Sequence, residues 1–128
     1  MKLGVVIGVA LIASACGGKE EIVQVTSQEQ FQLRYSQGHR NFTRAILADA
    51  DLGDTNLSRS VFQDAQLNRA KFTRSRMMKA DFSGASCEGA HFILNDMTDA
   101  NFEQASLKGA DFGQSTMHGT NFRRANLR

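Results

Sequence analysis

Cut into fives, residues 80–128 read ADFSG, ASCEG, AHFIL, NDMTD, ANFEQ, ASLKG, ADFGQ, STMHG, TNFRR and ANLR. The third letter of every block is a large apolar residue or Cys, and the first is almost always small. Asp or Asn often stands between them, as in Ala80-Asp81-Phe82 and Ala100-Asn101-Phe102. Followed towards the N-terminus, the rhythm holds back to Arg40 without a slip. Its 18 centres are Phe42, Leu47, Leu52, Leu57, Phe62, Leu67, Phe72, Met77, Phe82, Cys87, Phe92, Met97, Phe102, Leu107, Phe112, Met117, Phe122 and Leu127. The position two before each centre is Ala eleven times, Ser or Thr five times, Asn95 once and Arg40 at the first repeat.

Neither regular element accommodates this spacing. On an α-helix five residues turn about 500°, so successive centres would spiral around the axis. On a straight strand an odd step sends successive centres to opposite faces. A chain that turns a corner once per repeat points every centre inward, and four corners close a circuit of twenty residues. Reading every twentieth residue supports four. One column is Phe42, Phe62, Phe82, Phe102 and Phe122; the next is Leu47, Leu67, Cys87, Leu107 and Leu127. The third is Leu52, Phe72, Phe92 and Phe112, and the fourth Leu57, Met77, Met97 and Met117. Two columns of small residues are entirely Ala, whereas Thr55, Ser75, Asn95 and Ser115 predict a polar ladder before the Met column. Charges agree with the same circuit. Eight opposite pairs lie twenty apart (Arg44/Asp64, Asp49/Arg69, Asp51/Lys71, Asp54/Arg74, Arg76/Asp96, Lys79/Asp99, Glu88/Lys108 and Glu103/Arg123), against two like pairs. Ion pairing between adjacent rungs is therefore expected, at about 0.2–1 kcal/mol for each exposed pair.

These residues resemble the pentapeptide-repeat family, whose motif is A(D/N)LXX. The resemblance covers residues 40–128. It implies an all-β fold, a right-handed quadrilateral β-helix of about four and a half coils, with centres and small positions filling the interior. At about 4.8 Å per rung the column stands about 22 Å tall. Cys87 fits as a small buried hydrophobe and is expected to be inert. A solenoid needs its ends covered. Residues 22–38 are expected to cap one end. Thr26-Ser27-Gln28-Glu29 fits a capping box and a short helix ending near Gly38. The alternation of Phe31, Leu33 and Tyr35 fits a strand instead. The last repeat stops at Arg128, and an uncovered rung invites a homodimer through that end.

The N-terminus reads as an address. Met1-Lys2 is followed by LGVVIGVALI (residues 3–12), apolar but shorter than the roughly 20 residues a membrane span needs. That pattern fits a secretory signal. Ala13-Ser14-Ala15-Cys16 resembles the lipobox of bacterial lipoproteins, which implies cleavage before Cys16 and its acylation. Two or more acyl chains hold a protein on a membrane where one would not. The expected organisation is a signal peptide over 1–15, lipidated Cys16 with linker and cap over 16–38, and the β-helix over 39–128. Gly17 after the Cys implies, by resemblance to enterobacterial sorting, the periplasmic side of an outer membrane if the host has one.

Composition limits the chemistry. With 15 basic and 13 acidic residues the net charge is +2, and loss of Lys2 would leave +1. That balance argues against a strongly basic nucleic-acid binder and against an acidic DNA mimic. There is no Trp and one Tyr, so no platform for stacking bases is expected. His39, His91 and His118 share no face, so no metal site is expected, and no catalytic constellation, phosphate loop or cofactor motif stands out. Two surface features remain. Arg69, Lys71, Arg74, Arg76 and Lys79 make the second coil basic, although acids of the neighbouring coils are placed to neutralise them. Met78, Ile93 and Leu94 fall at outward positions near one corner and form a candidate partner patch. The expected function is a non-enzymatic, membrane-anchored scaffold contacting an envelope protein. The alternatives are a DNA-mimicking gyrase-interacting protein, as some family members are, and an accessory lipoprotein of a secretion or pilus system.

Overall fold

The structure, a computed structural model, describes residues 24–128. The expected signal peptide, Cys16 and the expected spacer after it lie outside the described residues. From Asn41 onward the backbone turns every five residues, and isolated parallel bridges join residues twenty apart, from Asn41↔Val61 to Ser106↔Asn126. Each bridge rests on two bonds. Phe62 N–H donates to the Asp81 carbonyl at 2.6 Å, and Asp81 N–H donates back to the Ser60 carbonyl at 2.9 Å. One circuit is thus twenty residues. The result is a right-handed quadrilateral β-helix with four faces, numbered here by the centres Phe42, Leu47, Leu52 and Leu57 that begin them.

The corners explain the five-residue step. At most of them the N–H of the next small residue closes a turn onto the centre carbonyl, as Ala85 does to Phe82 at 3.0 Å. The residue two after each centre takes a left-handed φ, from Arg44 (61°) to Arg124 (58°). A β-turn of type II requires φ > 0 at that place. Gly supplies it freely at Gly84, Gly89, Gly109 and Gly119. Asp49, Asp54, Asp64 and Asp99 adopt it at lower cost than most side chains. Gly113 stands one place earlier in its turn and does not share this conformation.

Asp or Asn before the centre has a local task. Its Oδ1 accepts the N–H of the residue after the centre: Ser83 to Asp81 at 2.9 Å, Gly113 to Asp111 at 2.9 Å, Arg123 to Asn121 at 2.9 Å. This Asx bond satisfies a donor at the bend that the rung-to-rung ladder does not use. Inside, the first-face rings stack: Phe62–Phe82 centroids are 5.1 Å apart at 4°, and Phe82–Phe102 4.9 Å at 3°. Third-face rings stack likewise, Phe72–Phe92 at 4.9 Å. The two stacks meet edge to face, Phe72–Phe82 at 85°, the geometry favoured by ring quadrupoles.

The corner between the third and fourth faces differs. There the N–H groups of Thr55, Ser75 and Asn95 donate along the axis to Ser75 Oγ (3.2 Å), Asn95 Oδ1 (2.7 Å) and Ser115 Oγ (2.9 Å). Ser75 and Ser115 hydroxyls in turn donate to the carbonyls of Leu52 and Phe92. The polar ladder foreseen in that column is therefore a set of side chains that replaces the turn bond, a role Ala cannot fill.

The cap is a helix, α1 (Gln28–Ser36). Its N-cap is Ser27, whose hydroxyl accepts Gln30 N–H, and Gln30 Oε1 accepts from Thr26. The box is thus one residue later than the Thr26/Glu29 expectation, because Ser27 and Gln30 have the same spacing. Phe31 is buried and packs 4.7 Å from Phe42. The cap also acts as a partial extra rung. Val25 O accepts Ile46 N–H (2.7 Å), Gln28 Oε1 accepts Asp51 N–H (2.8 Å), and Tyr35 hydroxyl donates to Asn56 O (2.8 Å). Arg40 does not fill the interior as a small residue would. Its guanidinium stacks 3.9 Å over the Tyr35 ring and donates to the Tyr35 carbonyl at the end of α1. At the opposite end Phe112 and Phe122 are half-buried, and Met117 and Leu127 are exposed.

Candidate interaction surface

The residues with nucleophilic or metal-binding chemistry are dispersed. Cys87 is buried in the second-face column, and burial pushes its thiol up to about 12. His91 lies on the third face, bridged to Lys71 and Asp111, and His118 at an exposed corner after Met117. Among the described residues no three His, Cys, Asp or Glu side chains gather to hold a metal ion.

Of the eight foreseen ion pairs, two form among the described residues. Arg69 grips Asp49 through Nε and Nη2 at 2.7 and 2.9 Å, and Arg74 grips Asp54 at 2.8 and 2.9 Å. Both are exposed forks, in which the guanidinium hydrogen bond holds the carboxyl below its ordinary range and raises the Arg. Three of the other six acids are engaged elsewhere. Asp51 takes Gly53 N–H, Asp96 takes Thr98 N–H and hydroxyl, and Glu88 takes the Ser106 hydroxyl. Asp99 leans along the axis over Gly119, where a Cβ would strike its carboxylate. At Asp51 and Asp96 a bond to the local bend takes the carboxylate that pairing across rungs would use. Neutralisation of the second coil is therefore incomplete: Lys71, Arg76 and Lys79 are exposed and make no ion pair among the described residues.

The apolar candidates do not form one cluster. Met78 (41% exposed) follows Met77, at the corner leading from the fourth face to the first. Ile93, half-buried, and Leu94 (46% exposed) follow Phe92, at the corner leading from the third face to the fourth. They flank the fourth face on its two edges, one coil apart, with Arg76 on the face between them. Beside the ladder corner lies a shallow recess of about 290 Å³ lined by Asp54, Thr55, Asn56, Arg74 and Arg76. Sequence reasoning missed this recess. Its signal was Gly53 beside Thr55, the column where Ala gives way to polar residues.

A family model described as pentapeptide repeats matches residues 41–74, 75–114 and 96–128, the same span that coils in the structure. The chain belongs to the pentapeptide-repeat family. Among solved members, a pentapeptide repeat protein of the Arabidopsis thaliana thylakoid lumen shares 31% identity, with a TM-score of 0.65. The match covers 67% of this chain and 60% of that one, so less than two thirds of that structure's length is spanned. QnrB1, a plasmid-mediated fluoroquinolone resistance protein, shares 27% identity over 68% of this chain and 52% of its own, with a TM-score of 0.49. A pentapeptide repeat protein from Nostoc shares 24% identity over 81% of this chain and 78% of its own, at a TM-score of 0.41. No curated protein matches.

Proposed function

We propose that this pentapeptide-repeat protein is a non-enzymatic lipoprotein of the bacterial cell envelope, anchored through Cys16, whose rod is a scaffold for contact with an envelope protein. One observation carries the scaffold reading. The repeat spends its apolar residues on the interior and its Asp and Asn residues on corner bonds, leaving flat polar faces. Such faces suit a broad contact better than a chemical step. The anchor reading is supported by LGVVIGVALI ahead of Ala13-Ser14-Ala15-Cys16. Among the described residues no helix is long and apolar enough to cross a membrane.

Replacing Cys16 by Ser tests the anchor. The parent protein is expected to incorporate labelled palmitate and fractionate with membranes, and the variant to lose both. A parent that stays cytosolic and unlabelled overturns the reading, and a gyrase inhibition assay is then the next measurement. Pairing of the exposed rung at Met117 and Leu127 with a second copy belongs to the same reading. Sedimentation equilibrium should show a dimer that Leu127→Asp dissociates; a parent that stays monomeric removes that contact.

A further inference from the structure

Among the described residues Leu94 is the one apolar residue at the non-glycine corners that adopt a left-handed φ, at 61°, and nearly half of it faces solvent. Its backbone is strained for a bulky side chain, and its exposure gains nothing for folding. The fold imposes this φ at every corner, so a bulky apolar side chain placed there and left nearly half exposed calls for a reason other than packing. Met78 mirrors it across the fourth face. Arg76 between them occupies a position where the repeat often places Asp or Asn, and Lys79 follows Met78. Neither base makes an ion pair among the described residues: Asp96 is held by Thr98 and Asp99 leans towards Gly119.

We propose that the fourth face docks on an anionic phospholipid bilayer. The proposal rests on the anchored reading above and adds an orientation to it: the rod lies on the membrane by this face. A protein partner fits less well. Hot spots are contiguous, desolvated clusters, whereas Met78 and Leu94 stand on opposite edges with a guanidinium between them. A bilayer interface accepts separate apolar side chains while neighbouring basic groups reach its phosphates. The recess next to Arg76 gives a phosphodiester a seat, since the one carboxylate lining it, Asp54, is neutralised by the Arg74 fork. Arg76 offers a planar fork of donors, and Asn56, whose Oδ1 already accepts Ser58 N–H, offers its amide nitrogen. Charge is polarised along the face. Arg76 and Lys79 lie on the coil nearer the cap, and Asp96 and Asp99 on the next. The cap is also where the anchor joins: the eight steps from Cys16 to Gln24 span at most about 28 Å. The basic half, which carries Met78, is therefore the half nearer the anchor, and Leu94 meets the bilayer from the next coil.

The test uses the full chain carrying Cys16→Ser, so that no acyl chain contributes, and co-sedimentation with two kinds of vesicle. One kind is phosphatidylcholine, and the other phosphatidylcholine with phosphatidylglycerol. Comparison among variants removes the common contribution of residues 3–12. Tighter binding to the anionic vesicles is expected, weakened by salt. Arg76→Gln and Lys79→Gln should each lower it roughly fivefold. Leu94→Gly should lower it several-fold while keeping the fold, because glycine suits that φ; Gln66→Glu on the second face should change nothing. Equal binding to both vesicles, or full binding by the Arg76, Lys79 and Leu94 variants, overturns the proposal. So does displacement by millimolar inorganic phosphate alone, which marks a simple anion site. Binding to a polyglutamate peptide in place of vesicles overturns it in favour of an acidic protein. These outcomes are independent of the Cys16 fractionation, which tests only the anchor.

Discussion

Asn95 is buried at a position where its column otherwise holds Thr or Ser. Its Oδ1 accepts Ser75 N–H at 2.7 Å, but its Nδ2 is buried with no hydrogen-bond partner. An orphaned buried donor costs about 1–3 kcal/mol. Asn95→Ser keeps an acceptor of the kind Ser75 and Ser115 provide and removes the orphan. It should raise the unfolding free energy by about 1 kcal/mol in urea titrations. Asn95→Ala removes the acceptor as well and should destabilise by about 1–3 kcal/mol. The polar column was legible because four non-Ala residues twenty apart stand out against columns of Ala. Why they are polar was not legible, since the exchange of a turn bond for an axial side-chain bond leaves no mark on spacing. The missed ion pairs have a related cause. Asp96 and Arg76 are in register, but the carboxylate has a nearer donor in Thr98.

At the scale of the element, α1 stands in for a missing rung. It holds on through the Phe31 ring over Phe42 and the Gln28 side chain that accepts Asp51 N–H, while Val25 just before it accepts Ile46 N–H. Phe31→Ala should cost about 3–5 kcal/mol. It should also raise amide exchange at Ile46 and Asp51 far more than at Phe92, since a solenoid is stabilised by neighbour contacts. Uniform exchange along the rod would refute this division of labour. That a cap was needed followed from the repeat itself. Its type was ambiguous, because Phe31, Leu33 and Tyr35 suit either period. The helix is set by Ser27 and Gln30, and by an aromatic face in which Phe31 and Tyr35, one turn apart, both lie over the first coil.

Across the molecule, the same side chain has different value at different heights. Phe82 lies between two rings and is fully buried, whereas Phe122 has a neighbour on one side and is half-buried. Phe82→Ala should cost about 3–5 kcal/mol and Phe122→Ala roughly half of that, measured by chemical unfolding. Cys87 reports on the integrity of the column. With Cys16 replaced by Ser, the folded protein should not react with a thiol reagent at about pH 8 and should react fully once unfolded. Because its folded value is about 12 against an ordinary 9.0, the folded state keeps a proton that the unfolded state releases. Stability should fall as pH rises between those values. The forks at Asp49 and Asp54 act with the opposite sense: both carboxyls are depressed. Their small contribution is in place above the ordinary carboxylate range and is lost as pH falls through it. An Asp49→Asn, Asp54→Asn double variant should show a shallower acid limb.

Because one lap of the backbone is twenty residues and one side is five, length in this chain is convertible into angle. A block of five inserted at a bend such as Gly84 would rotate every later residue by 90° about the axis while leaving the interior filled. Leu94 and Met78 would then no longer flank the same side. A block of twenty would restore their alignment and lift everything beyond it by one storey, about 4.8 Å. Mutational histories of such chains should therefore tolerate both sizes for stability, but only the larger for any contact that reads two storeys at once.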